Sequence, residues 1–81
     1  MSKLKKFFNV NFKAVDQETG EKYVLLADCL TLKKAETIEQ FIRKEIKEKG
    51  NDAFLYDLEI RDRLGNLVGG FGPIFHVEVS L

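Results

Sequence analysis

At 81 residues the chain has room for one domain with one core, predicted to span 1–81 with a basic, flexible arm over residues 1–6. Thirteen basic and thirteen acidic side chains cancel. That balance argues against a dedicated nucleic-acid binder, whose affinity rests on neutralised phosphates, and against an acidic mimic of DNA. A hydrophobic content of 44% excludes a disordered chain, and no run of about 18 apolar residues offers a membrane span. Asn9, Asn11 and Lys13 interrupt the apolar start that a secretory signal needs, so the expected location is the cytoplasm.

Phe8, Val10, Phe12 and Ala14 alternate with Asn9, Asn11 and Lys13, the period of a half-buried strand. Asp16–Glu21 carries no apolar side chain, and Gly20 suits the positive φ of a hairpin turn. Tyr23–Leu30 is a second strand, so uniformly apolar that it reads as central or covered on both faces. Within it, Cys29 alternates with Tyr23, Leu25 and Ala27 and is expected inside as a small hydrophobe. As the lone cysteine, it leaves no intramolecular disulfide.

Thr31 is the predicted N-cap of a helix reaching Lys49. Ala35, Ile38, Phe41, Ile42 and Ile46 make its apolar stripe, and Gly50 is its expected left-handed C-terminal cap. Glu39–Arg43 and Glu45–Lys49 are ion pairs four residues apart, expected on the exposed side. Phe54, Tyr56, Leu58 and Ile60 mark a third strand, and Asp62–Asn66 a turn around Gly65. Leu67–Phe71 is a short fourth strand. Ile74–Leu81 is a last strand, with Phe75, Val77, Val79 and Leu81 inward and His76 on the outer face.

The predicted fold class is α+β: a small antiparallel or mixed sheet of four to five strands with one helix packed across one face, in the order β-β-α-β-β(-β). This hairpin–helix–hairpin order resembles the β-grasp pattern, a likeness of element order that carries no function.

The side chains needed for catalysis are few. His76 is the sole histidine, and the only serines, Ser2 and Ser80, stand near the chain ends, poorly placed for a preorganised Ser-His-acid arrangement. The acids Asp57, Glu59 and Asp62 read as a solvated strand face, and Asp16–Glu21 lacks the spacing of a calcium loop. The expectation is therefore a protein that is no enzyme and takes no metal or cofactor. The glycine-rich stretch Gly69, Gly70, Phe71, Gly72, Pro73 has no lysine-serine pair for a phosphate cradle. It matches an aromatic RNA-recognition motif only in part, lacking that motif's basic residue at Gly69. It reads first as a bulge or wide turn between strands, and alternatively as a frame presenting Phe71 as an exposed anchor.

Phe7, Val15, Val24, Leu26, Leu30, Leu55 and Ile74 are assigned to the face away from the helix, where an apolar patch implies an interface. The expected function is a small protein-binding adaptor or inhibitor acting by surface occlusion. Its candidate contact residues are Val24, Leu26, Gly69, Gly70, Phe71, Gly72 and His76, its partner another protein, and self-association is envisaged through the open sheet face. The Lys-, Phe- and Asn-rich brevity resembles the small orphan proteins of phages and mobile elements, and that resemblance implies an inhibitor. The alternative is a nucleic-acid binder using Lys3, Lys5, Lys6, Lys13 and Lys22 beside aromatic side chains.

Overall fold

The computed structural model describes residues 7–79. Four strands, β1 (Phe8–Asp16), β2 (Lys22–Cys29), β3 (Phe54–Asp62) and β4 (Leu67–Phe75), form one sheet in the order β2-β1-β3-β4, with every pairing antiparallel. Helix α1 (Leu32–Lys49) joins β2 to β3, and a short 3-10 turn, η1 (His76–Glu78), follows β4. The predicted element order is realised as an all-antiparallel sheet.

Local chemistry accounts for the elements. Thr31 caps α1 by accepting the Lys34 N–H on its hydroxyl. Asp16 closes the first hairpin: its carbonyl accepts from Gly20 N–H at 2.7 Å and its carboxylate from Glu18 N–H at 2.9 Å. Asp62 closes the second, accepting the N–H groups of Leu64 and Asn66, both at 2.9 Å.

The core lies between the sheet and α1. Val10 and Ala14 of β1, Cys29 of β2, and Tyr56, Leu58 and Ile60 of β3 meet Ala35, Ile42 and Ile46 of α1, and Val79 closes one side. Cys29 is thus the inward small hydrophobe that its alternation predicts. Because β2 and β3 are parallel and flank β1, α1 has to cross β1 to connect them. It starts beside Cys29 and ends where Asn51 N–H donates to the Tyr56 hydroxyl at 3.0 Å. The helix packs over β1 and the Cys29 end of β2 but leaves Tyr23 and Leu25, at the other end of β2, exposed.

Several expectations change. β2 is an edge strand, not a central one. Tyr23, Val24, Leu25 and Leu26 are exposed, two on each face, since among the described residues no strand pairs its outer side and α1 leaves this end of the strand uncovered. Phe41 stands 61% exposed because it points into the gap left there. Gly50 has an extended backbone, not a left-handed one. Glycine is needed there for space, because a Cβ would meet the Ile46 carbonyl oxygen and the His76 ring. The Glu39–Arg43 pair, at 2.8 Å, is tucked in and not on the exposed side.

The separate last strand is also absent among the described residues. Gly69–Pro73 lies inside β4, which continues to Phe75 before η1 turns the chain. Phe75 and Val77 are exposed, and of the expected inward set only Val79 is buried; Leu81 lies outside the described residues.

Candidate functional site

The two edges of the sheet differ in kind. On β4, Gly72 and Pro73 together oppose Asp57, and Val68 is a second extra residue opposite the Ile60–Arg61 step. These are two bulges in one strand. Gly70 and Gly72 take φ of +118° and +96°. A Cβ on Gly70 would stand 2.0 Å from the Leu58 carbonyl oxygen, so glycine alone lets β4 approach β3. The glycine-rich segment is therefore a structural bulge.

Phe71 turns toward α1, half buried, with the Arg43 guanidinium 4.6 Å from its ring centre. It is not the exposed anchor considered above. Since Arg43 is also held by Glu39, the phenylalanine is part of the sheet–helix packing. His76 is likewise on the α1 side and not on the outer sheet face: its Nδ1 lies 2.8 Å from an Asp52 carboxylate oxygen, beside Gly50.

The β2 edge has no comparable irregularity. Its register against β1 is unbroken from Val15–Lys22 to Phe8–Cys29. Tyr23, Val24, Leu25 and Leu26 are between 51% and 69% exposed. Asp16 N–H donates to the Glu21 carbonyl on one side of β1, and Gln17 N–H to the Ala53 carbonyl on the other. Antiparallel alternation then directs the backbone groups of Tyr23, Leu25, Ala27 and Cys29 toward β1, and those of Lys22, Val24, Leu26 and Asp28 outward. Among the described residues the outer edge thus presents a row of unpaired donors and acceptors, the template on which another strand can add.

Side chains on the two faces of this edge differ. Lys22, Val24, Leu26 and Asp28 share the open face of the sheet, opposite Val15, Lys13, Asn11 and Asn9 of β1. Asn9 donates to the Asp28 carboxylate through its side-chain amide. On the α1 side, Tyr23 stacks on Phe54 with ring centres 6.0 Å apart, and Phe12, Leu25, Phe41 and Tyr56 line a shallow apolar recess. The Tyr23 hydroxyl donates to Glu21 at 2.7 Å, and this bond to a carboxylate holds its pKa above the ordinary tyrosine value.

The expected contact residues do not form one surface. Val24 and Leu26 are on the β2 edge, while Gly69, Gly70, Phe71 and Gly72 are on β4, with β1 and β3 between them. The centre of the open face is polar, built from Asn9, Asn11, Lys13, Asp57, Glu59 and Arg61, so the apolar patch assigned there is not continuous. Ile74 pairs with Tyr56 on the α1 side instead. Lys13 is cross-strand to Asp57. Lys22 is at the edge of the sheet, and Lys3, Lys5 and Lys6 lie outside the described residues.

Sequence reasoning missed Tyr23, Leu25 and Phe41 as surface residues. The signal was present in the missing polar face of β2, but burial between neighbouring strands explains such a pattern equally well.

Among the described residues no helix is long and apolar enough to cross a membrane, and no group of three or more His, Cys, Asp or Glu side chains converges as metal ligands. Comparison with protein-family models, curated proteins and solved structures finds no match to the chain.

Proposed function

We propose that this chain is a non-catalytic protein-binding module whose docking element is the outer edge of β2. The observation that carries this reading is the coincidence, on one strand, of backbone groups unpaired among the described residues and exposed apolar side chains on both faces. Such an edge recognises an extended segment of another protein: backbone hydrogen bonds supply affinity, and alternate side chains supply selectivity. Covering each of the half-exposed side chains contributes on the order of 1 kcal/mol, and the added strand's hydrogen bonds contribute further, against the cost of association. An inhibitor or adaptor built this way acts by occupying its partner's strand.

The test uses Leu26→Pro. The Leu26 N–H points away from β1, so proline there removes an edge donor without removing a bond of the β1–β2 ladder, as on natural blunted edges. Tagged wild type and variant, both checked for fold by circular dichroism, are used for affinity capture from an extract with and without nuclease. The expected result is a nuclease-resistant protein retained by the wild type and lost by Leu26→Pro. Bound material that disappears on nuclease treatment, with absorbance at 260 nm, would instead favour the nucleic-acid alternative.

A further inference from the structure

We infer that the strand accepted by the β2 edge is β2 of a second copy of the same chain, in one antiparallel register centred on Leu25. This inference rests on the edge-docking reading above and adds the partner and the register.

Symmetry restricts the choices first. Two copies of one strand paired antiparallel are related by a two-fold axis perpendicular to the sheet, which keeps both helices on the same face. Each residue must then meet one of like facing, so Lys22, Val24, Leu26 and Asp28 meet only members of the same set. These are the residues whose backbone groups point outward, as hydrogen-bonded pairs of an antiparallel ladder require.

Side-chain chemistry then selects among the allowed registers. With the axis at Leu25, Lys22 faces Asp28 of the second copy, Asp28 faces its Lys22, and Val24 faces Leu26 in both directions. On the other face, Tyr23 meets Ala27, a large ring against a small side chain, and Leu25 meets Leu25. Both charged residues of the strand are thus neutralised at its two ends, with an apolar centre between them. Moving the axis to Val24 sets Lys22 against Leu26 and carries Asp28 past the strand end to Gly20. Moving it to Leu26 sets Val24 against Asp28 and Lys22 against Leu30. Only the Leu25-centred register pairs opposite charges, and directly opposed charges favour pairing where like charges oppose it. That register adds about eight backbone hydrogen bonds, two for each outward pair.

The experiment is sedimentation equilibrium on wild type, Lys22→Glu, Asp28→Lys and the double variant Lys22→Glu/Asp28→Lys. All three variants change exposed side chains, and circular dichroism verifies the fold. The wild type is expected to be a reversible dimer. Each single reversal should weaken dimerisation about tenfold, because each places two like-charged pairs across the axis, and the double reversal should restore it. Leu25→Cys in a Cys29→Ala background supplies a second readout. At a non-hydrogen-bonded pair the two α-carbons approach to about 4.5 Å, within disulfide reach, so mild oxidation should give a covalent dimer, and Val24→Cys should not.

A double variant as weak as the singles overturns the register. A wild type that stays monomeric at high micromolar concentration overturns self-pairing; if it still captures a foreign protein that Leu26→Pro loses, edge docking itself stands. Association or capture untouched by Leu26→Pro overturns both.

Discussion

Gly70 combines two demands that no other residue meets together. Its φ of +118° is open to glycine at little cost, and its α-carbon sits so close to β3 that a Cβ would overlap the Leu58 carbonyl oxygen at 2.0 Å. Relief requires β4 to move off β3, and Leu58, 1% exposed, is at the centre of the core. Gly70→Ala is accordingly expected to destabilise the fold by about 3 kcal/mol, combining backbone strain and displaced packing. Urea unfolding followed by circular dichroism measures this, and a loss near zero would show that the strand yields without penalty. The glycine cluster was conspicuous in the sequence. Its role was not, because a mobile loop and a bulged strand both call for glycine, and only the distance to a neighbouring carbonyl separates them.

At the scale of the element, each hairpin is held by an aspartate at the end of its first strand. Asp62 accepts backbone N–H bonds from Asn66 and Leu64. The Asn66 backbone bond is the main cause that lowers its pKa below the ordinary aspartate value, with smaller contributions from the Asn66 side chain and the Leu64 and Gly65 backbone, opposed by some desolvation. A carboxyl group held below its unfolded value of about 3.9 contributes stability that is present above that pH and is lost as pH falls through the folded value. The stability difference between wild type and Asp62→Ala should therefore be greatest near neutral pH and shrink below about pH 4. Urea midpoints at both pH values check this, and a difference that grows in acid would contradict the assignment.

These turns, the Thr31 cap and the strand alternation are local, and they were legible because each is decided by residues within a few positions. The C-terminal segment was misread because Phe75, Val77 and Val79 alternate as a strand does. The chain nevertheless turns at His76, where a contact from Asp52, far away in sequence, holds the ring.

For the molecule as a whole, the order of strands decides which residues can function, and order is a non-local property. An apolar run such as Tyr23–Leu26 fits the middle of a sheet as well as its edge; the two are distinguished only by whether another strand follows on its outer side. Among the described residues none follows, since α1 carries the chain across β1 to β3. The fold class was therefore readable, while the expected contact residues fall in separate places: Val24 and Leu26 on the β2 edge beside the exposed Tyr23 and Leu25, and the glycine segment across the sheet. The open face, expected to be apolar, has the Asn9, Asn11, Lys13, Asp57, Glu59 and Arg61 array at its centre because these alternate with the core residues of β1 and β3.

The bulges of β4 have a consequence for how far association can proceed. A sheet with two receptive edges polymerises, because every added copy exposes a fresh end. In this chain the Gly72–Pro73 and Val68 irregularities break the row of hydrogen-bonding groups on one side, while an antiparallel β2 pair consumes the other side of both copies at once. In the proposed β2 pair, growth would therefore terminate at two chains. Concentrating the protein should raise the dimer fraction to a plateau without higher species in light scattering, and without the fibres that a second open edge would permit.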